Sequence, residues 1–399
     1  MRDQRSERPH WPTILLIGGA GVLSAFQVGK ATVALAAIQS DLGVSLAVVS
    51  WLLSAFAIVG AVAGVAIGLA VDHIGARRMA VGGLVLQGVC SAIGAFSDGA
   101  AILLTTRVLE GFGFLAVTVA APALIVQAAP QRVRDRAFAI WATFMPVGFA
   151  GVLLAAPLLS VIGWRGFWIL NAVLLVGYAA LVRLRAPLPP ANATARRSIA
   201  DDIREISAAG GPWILAGLFA AFSASFFAVF GFLPFLLADR LAVSAEIGSV
   251  LTALAVLASA GGNLVCGQLL AQGLRPWRIL LASFCLLALC GLGIFQTTVP
   301  GGIAYGLCMM FSFAGGFVPV VLIDGAPRHA PRPELVGAAM GFVMQGNNIG
   351  LVLGPAMAGA IAGAAGWPAV SFLVAAMAGI AALLGLLFRA RPAEQALAS

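Results

Sequence analysis

Long apolar segments separated by short polar ones follow each other along the whole chain. A helix needs about 20 apolar residues to cross a bilayer core roughly 30 Å thick, and twelve segments meet that requirement. Strand-type alternation of apolar and polar positions is absent, which argues against an outer-membrane barrel. We therefore predict an all-α membrane protein with helices at 13–38, 45–71, 79–97, 101–127, 137–161, 165–185, 213–237, 247–271, 279–296, 301–325, 336–362 and 369–388.

Composition supports this pattern and excludes several classes of protein. The chain is 61% hydrophobic and 10% charged, with a mean hydropathy of +1.03, which a soluble domain of this length does not show. The first apolar segment is longer than a signal-peptide core, so we expect an uncleaved first span. The five cysteines lie in apolar segments and the three histidines in the tail and loops. We expect no disulfide frame, metal site, cofactor or enzymatic activity.

The distribution of basic residues predicts the topology. Of 23 lysines and arginines, 19 fall in the two tails and the even-numbered connections, which places both termini in the cytoplasm by the positive-inside rule. These arginines flank apolar segments instead of forming a stripe on a soluble module, so we expect a lipid bilayer and no nucleic acid as partner. The expected location is a bacterial inner membrane, crossed many times by a functional monomer.

The two halves of the chain repeat. The sequence around Pro122 and Pro130 recurs 197 residues later at Pro319 and Pro327, and Gly163-Trp164 recurs 203 residues later as Gly366-Trp367. A parallel repeat of six plus six helices places a substrate site between the halves, near the bilayer midplane. We expect a bundle at 1–185, a polar cytoplasmic linker at 186–212, partly helical around 199–206, and a second bundle at 213–399.

The connection after the second predicted helix carries a spaced motif, and helix 4 carries a second one. The first motif consists of Gly68, Asp72, Gly75, Arg77 and Arg78, and the second consists of Arg107, Gly111 and Gly113. Together they resemble the signatures of the major facilitator superfamily, G-x-x-x-D-x-x-G-x-R-R and R-x-x-x-G-x-G. The resemblance implies a transporter of twelve helices in two six-helix bundles, with Gly68, Asp72, Gly75, Arg77 and Arg78 forming a gate latch between the bundles.

Two positions depart from the family pattern. His73 stands where the superfamily usually has arginine or lysine, and Val152 stands where drug/proton antiporters usually have proline in helix 5. The second departure counts against the antiporter subclass. The alternative interpretation of the first motif is a topological stop signal with local ion pairs.

Three charges lie within the predicted hydrocarbon region: Lys30, which is the one lysine of the chain, Arg107 and Glu110. Ionisable groups inside a bilayer are costly and usually face a cavity or a partner. By their distance from the helix ends, Lys30 and Arg107 lie at similar depth on two helices that line the cavity in the superfamily. We expect Lys30, Arg107 and the neighbouring Gln27 to bind an anionic small molecule.

Glu110 lies one helical turn from Arg107, so the two share a face. Protonation of Glu110 would free Arg107, which makes both residues candidates for proton coupling. Two alternatives stay open: Lys30 snorkels outward along its carbon stem, and Arg107 with Glu110 forms a purely structural pair. Tyr305 and Phe226 are further candidates for lining the cavity, whereas Gln345, Asn347 and Asn348 favour hydrogen bonds between helices.

The leading functional hypothesis is a secondary active transporter that moves a small organic anion by alternating access, with protons as coupling ion. The alternative is a proton-driven exporter of hydrophobic or cationic drugs, which the phenylalanines of the seventh helix favour. A transporter-like sensor or assembly partner is a third hypothesis, and it requires a large soluble domain or a long tail.

Overall fold

The computed structural model describes residues 10–43, 46–185 and 199–389. Within these ranges the chain is helical and contains no strand. We number the membrane-crossing helices α1 to α12 and treat the short helix Ile199–Ala208 as the linker helix. The uninterrupted ones are α1 Trp11–Leu42, α2 Leu46–Ile74, α3 Ala76–Ala95, α4 Ala100–Ala128, α8 Ala245–Ala271, α9 Pro276–Ile294, α11 Val336–Ala365 and α12 Trp367–Arg389.

Three further crossings are each formed by two helical segments. Helix α5 has the segments Gln131–Ala142 and Phe144–Ala155, while α7 comprises Gly210–Phe230 and Leu233–Leu241. Helix α10 comprises Gly301–Gly315 and Phe317–His329, with its break at Gly316. After a single 3-10 turn, α5 runs into the segment Leu159–Arg185, and the part of this segment that follows Gly163 is α6.

A glycine separates α5 from α6. The apolar run Gln131–Arg185 has 55 residues, which as one straight helix would measure about 80 Å, far more than one crossing requires. Gly163 breaks it with φ 68° and ψ 171°. Gly366, its counterpart in the repeat, has φ 79° and ψ 166° between α11 and α12. Glycine adopts positive φ without a steric penalty, so the repeated Gly-Trp pair makes the same turn in each half.

Glycines also set the contacts between the two bundles, where α2 packs against α11 and α5 against α8. A Cβ atom added to Gly68 would lie 2.3 Å from the carbonyl oxygen of Gly337, and one added to Gly267 would lie 2.3 Å from the Cβ of Ala139. Small residues allow membrane helices to approach this closely. The bundles therefore meet backbone to backbone at two crossings related by the repeat.

The predicted spans agree with the structure except near some of their ends. Helix α1 continues to Leu42 and stops at Gly43, which has φ 62°, four residues beyond the predicted end. Helix α5 starts at Gln131 and not at 137, because its polar first turns follow Pro130 directly and resemble a loop in the sequence. The predicted linker helix is confirmed as Ile199–Ala208, while the rest of the linker, 186–198, lies outside the described residues.

Candidate functional site

A cavity of about 540 Å³ lies between the two bundles. It is enclosed by α1, α2, α4 and α5 from one bundle and by α7, α8, α10 and α11 from the other. Its walls are predominantly aromatic and aliphatic. Among the described residues, ten phenylalanines contribute to the lining: Phe56, Phe114, Phe144, Phe149, Phe219, Phe222, Phe226, Phe227, Phe230 and Phe232.

Helix α7 supplies most of this aromatic surface because its phenylalanines recur at helical spacing. Phe222, Phe226 and Phe230 are four residues apart and therefore share one face. The rings of Phe226 and Phe230 stack with centroids 4.3 Å apart and an interplanar angle of 14°. Phe311 of α10 packs behind them, 6.3 Å from Phe226. Phe226, a candidate from the sequence, thus lies at the centre of the aromatic wall.

Arg107 contributes the one charged side chain among the described residues that line this cavity. Its guanidinium is held on several sides and is 1% exposed. Nη1 donates to Glu110 Oε2 at 2.6 Å and to the carbonyl oxygen of Gln27 at 2.9 Å, while Nε donates to the carbonyl of Leu52 at 3.1 Å. The guanidinium carbon Cζ of Arg107 lies 4.7 Å from the ring centroid of Phe56.

Lys30 reaches the same carboxylate from the opposite side. Its Nζ donates to Glu110 Oε1 at 2.7 Å and to Ser91 Oγ at 2.8 Å, and lies 4.6 Å from the Trp168 ring centroid. Both Lys30 and Glu110 are 0% exposed. The side chain therefore points into the bundle, so the snorkelling alternative is wrong. Lys30 lies behind the cavity wall and not in it.

The three charges form a buried triad with Glu110 between two cations. With all three ionised, the triad carries one net positive charge. Burying an ion pair costs desolvation free energy that is recovered only with good geometry and additional hydrogen bonds. The carboxylate here has a cation on each oxygen, at 2.7 Å and 2.6 Å. Lys30 is therefore paired with Glu110, and of the two cations that we expected to bind an anion, Arg107 and not Lys30 is among the residues lining the cavity.

Two other sequence candidates lie away from the cavity. Gln27 is 0% exposed, and its Nε2 donates to Asn171 Oδ1 at 3.2 Å within the N-terminal bundle. The Tyr305 hydroxyl donates to the carbonyl of Leu251 at 3.0 Å and so joins α10 to α8. Neither residue is among those lining this cavity. Helix periodicity could not show which face of α1 or α10 turns inward.

Helix α8 contributes a line of residues to the site that was not expected from the sequence. Thr252, Val256, Ser259 and Asn263 follow at spacings of four, three and four, and all contribute to the cavity wall. They bring three polar side chains, those of Thr252, Ser259 and Asn263, to a lining that is mostly apolar. The spacing is visible in the sequence, but small polar residues in a membrane helix are common at helix contacts.

The gate-latch candidates lie where α2 meets α11. Asp72 accepts hydrogen bonds from the backbone N–H groups of Gly337 and Ala338, both at 2.8 Å, and so caps the N-terminus of α11 in the other bundle. Gly75 makes the turn into α3 with φ 99°. Arg77 donates to the carbonyl of Arg183 within its own bundle, and Arg78 is exposed. Among the five candidates, Gly68 and Asp72 contact the opposite bundle.

Further polar contacts join the bundles at the same end of the molecule. Asp202 of the linker helix pairs with Arg332 and lies 3.3 Å from His73 Nε2. Arg328 pairs with Asp135 of the other bundle at 3.0 Å. We call this end the basic face, because it carries Arg77, Arg78, Arg132, Arg134, Arg136, Arg328 and Arg332. The bundles are therefore closed together at the basic face, and the cavity lies farther toward the opposite face.

Comparisons with known proteins agree with this architecture. The family model described as Major Facilitator Superfamily matches residues 17–335. An uncharacterized transporter, YebQ, of Escherichia coli K12 is 32% identical over 168 residues, which is 42% of this chain and 36% of that protein. The tetracenomycin C resistance and export protein of Streptomyces glaucescens is 31% identical over 174 residues, 43% of this chain and 32% of that protein. The chain spans about a third of the length of these relatives.

A solved structure resembles nearly the whole chain. The crystal structure of the human organic anion transporter MFSD10 (TETRAN) superposes with a TM-score of 0.79, covering 95% of this chain and 100% of that one. Sequence identity is 17%, so the likeness concerns the fold.

Proposed function

Because the chain belongs to the Major Facilitator Superfamily, we propose that it is a secondary transporter that moves apolar aromatic compounds, neutral or anionic, by proton-coupled alternating access. This combines the two hypotheses drawn from the sequence and narrows each of them. The organic anion becomes an aromatic one, and the drug-exporter alternative loses its cationic substrates.

The aromatic cavity wall carries the proposal. Ten phenylalanines around about 540 Å³ offer ring faces and edges to a flat apolar molecule. Among the described residues that line this cavity there is no carboxylate to pair with a hydrophobic cation, and the guanidinium of Arg107 repels one. Arg107 favours an acidic group on the substrate instead.

The triad supplies a route for coupling. Glu110 holds Arg107 and Lys30, so a proton on Glu110 weakens both ion pairs and leaves Arg107 available to an anionic group of the substrate. Deprotonation restores the pairs and displaces that group. A proton and an anionic substrate therefore bind cooperatively through one carboxylate, and this linkage couples their movements in the same direction.

Alternating access follows from the contacts at the basic face. With that face in the cytoplasm, as the distribution of arginines predicts, this structure is closed toward the cytoplasm. Opening it requires breaking the Asp72 cap on α11, the Asp135–Arg328 pair and the links through Asp202. Because each of these contacts is modest, binding of substrate and proton is enough to shift the equilibrium between the states closed and open at the basic face.

Binding is the first test, with 2-naphthoate as aromatic anion and tetraphenylphosphonium as hydrophobic cation, each added to purified protein in a thermal-shift assay. We expect stabilisation by 2-naphthoate that Phe226→Ala weakens. Phe372→Ala is the matched control, because Phe372 on α12 is 67% exposed and far from the cavity. Stabilisation by the cation alone would overturn the proposal.

Transport is the second test, in proteoliposomes loaded with 2-naphthoate, with and without a pH gradient that is acidic inside. We expect faster efflux of 2-naphthoate when the inside is acidic, and loss of that acceleration in Glu110→Gln. Acceleration that persists unchanged in the variant would remove Glu110 from the coupling mechanism.

A further inference from the structure

Asn263 has a buried side-chain oxygen without a hydrogen-bond partner. It is 1% exposed, and its Oδ1 has no such partner among the described residues. Asn171 accepts from Gln27 Nε2 and donates to the carbonyl of Phe167, and Asn348 donates to the carbonyl of Met344. Buried polar groups are nearly always hydrogen-bonded, so an exception calls for a physical explanation.

The position of Asn263 provides one. It lies on the cavity-facing side of α8 together with Thr252 and Ser259, and it contributes to the cavity wall. Across from it, α10 is interrupted at Gly316, where an added Cβ would lie 3.0 Å from the backbone nitrogen of Asn263. The two helices therefore hold Asn263 tightly at the edge of the substrate space.

A second hydrogen-bond acceptor lies in the same part of the wall. The carbonyl of Gly315 would ordinarily accept from the N–H of the residue four positions later, but that residue is Pro319, which has no N–H. Both Gly315 and Pro319 line the cavity. The wall formed by α8 and α10 thus offers acceptors without their usual donors, beside a surface that is otherwise apolar.

We propose that Asn263 and the carbonyl of Gly315 form a polar subsite that binds a hydrogen-bond donor, such as a phenolic hydroxyl, on the aromatic substrate. This inference rests on the proposed function and deepens it by naming the substrate class as hydroxylated aromatic compounds. The subsite belongs to the C-terminal bundle, whereas Arg107 belongs to the N-terminal bundle. A substrate carrying an acidic group and a hydroxyl contacts both bundles at once.

The test compares two ligands that differ in one donor, 6-hydroxy-2-naphthoate and 6-methoxy-2-naphthoate. Their dissociation constants are measured with the full chain in lipid nanodiscs, by quenching of tryptophan fluorescence. We expect the hydroxyl compound to bind roughly 2- to 10-fold more tightly, the value of one neutral hydrogen bond. This comparison needs no variant, so it stands whether or not a substitution at position 263 folds.

Two variants assign the effect to Asn263. In Asn263→Leu, which has similar volume and no polar atoms, we expect the preference for the hydroxyl compound to vanish while the methoxy compound binds as before. Thr252→Val is the matched control on the same face of α8, because the Thr252 hydroxyl already donates to the carbonyl of Gly248 at 2.8 Å. It should retain the preference.

The outcomes separate this inference from the proposed function. Equal binding of the two compounds to the unaltered protein, or a preference that survives in Asn263→Leu, would overturn the subsite and leave the aromatic-anion transporter intact. Failure of both compounds and of 2-naphthoate to bind would overturn the proposed function and the subsite with it.

Discussion

We expect Glu110→Gln to destabilise this protein more than a single substitution of either of its two partners, Lys30 and Arg107. The carboxylate pairs with two buried cations, Lys30 at 2.7 Å and Arg107 at 2.6 Å, and all three side chains are at most 1% exposed. Removing one partner from a buried ion pair typically costs about 3–5 kcal/mol, because the other charge is left uncompensated. Glu110→Gln leaves two such cations, so we expect a loss of about 5 kcal/mol.

A second substitution sharpens this prediction. Lys30→Met alone leaves Glu110 paired with Arg107, so it should cost less than Glu110→Gln. Combined with Glu110→Gln, it removes one of the two uncompensated cations. We therefore expect the double variant to be more stable than Glu110→Gln, although it carries one more substitution. Such a coupling between contacting residues is what a double-mutant cycle measures.

Chemical unfolding in detergent, followed by tryptophan fluorescence, provides the assay, since Trp168 lies beside Lys30. Asp41→Asn is the matched control: it removes a carboxylate from the pair with Arg165, in which both side chains are more than a third exposed. Exposed pairs contribute little to stability, so little change is expected. Additive losses in the double variant, or a Glu110→Gln variant as stable as the parent, would refute the reasoning.

Three further predictions concern the basic face. Asp72→Ala removes the cap on α11, which is worth about 0.5–2 kcal/mol, and should lengthen spin-label distances between the bundles at that face; unchanged distances would contradict the latch. Gly68→Val places side-chain atoms where a Cβ alone would lie 2.3 Å from the Gly337 carbonyl. It should abolish transport in folded protein, whereas Gly82→Val, at a position with nothing within 4 Å of an added Cβ, should not. Asp202→Asn removes the charge that Arg332 and His73 face, so the same distances should lengthen, and identical distance distributions would argue against a role for the linker helix.

The helices were largely predictable because membrane insertion imposes a strong and local requirement. A backbone inside hydrocarbon must satisfy its own hydrogen bonds, so each apolar run of sufficient length becomes a helix. The repeated Gly163-Trp164 and Gly366-Trp367 pairs marked two turns that the structure contains. The start of α5 was predicted six residues too late, because the sequence becomes apolar at residue 137 whereas the helix already begins at Gln131.

The site was predictable in its members more than in its arrangement. The sequence indicated Lys30, Arg107 and Glu110 because charges stand out among apolar residues. It placed Glu110 beside Arg107 through helical spacing, but the contact with Lys30 joins residues 80 positions apart. Phe226 lines the cavity as expected from its place among the phenylalanines of α7. Whether Tyr305 and Gln27 line it depends on which face of α10 and α1 turns inward, and the sequence does not show this.

Local composition and motifs of fixed spacing are enough to predict the number of crossings, the repeat and the family. Contacts between distant helices establish how the charges pair and what the cavity presents to a substrate. Lys30 is buried against Glu110, and Arg107 rather than Lys30 is among the residues lining the cavity. The packing of α7 and α8 against the cavity gives it an aromatic wall and, at Asn263, a side-chain oxygen without a hydrogen-bond partner among the described residues. Both results depend on helix rotation and contact between distant segments, which hydrophobic periodicity does not specify when nearly every position is apolar.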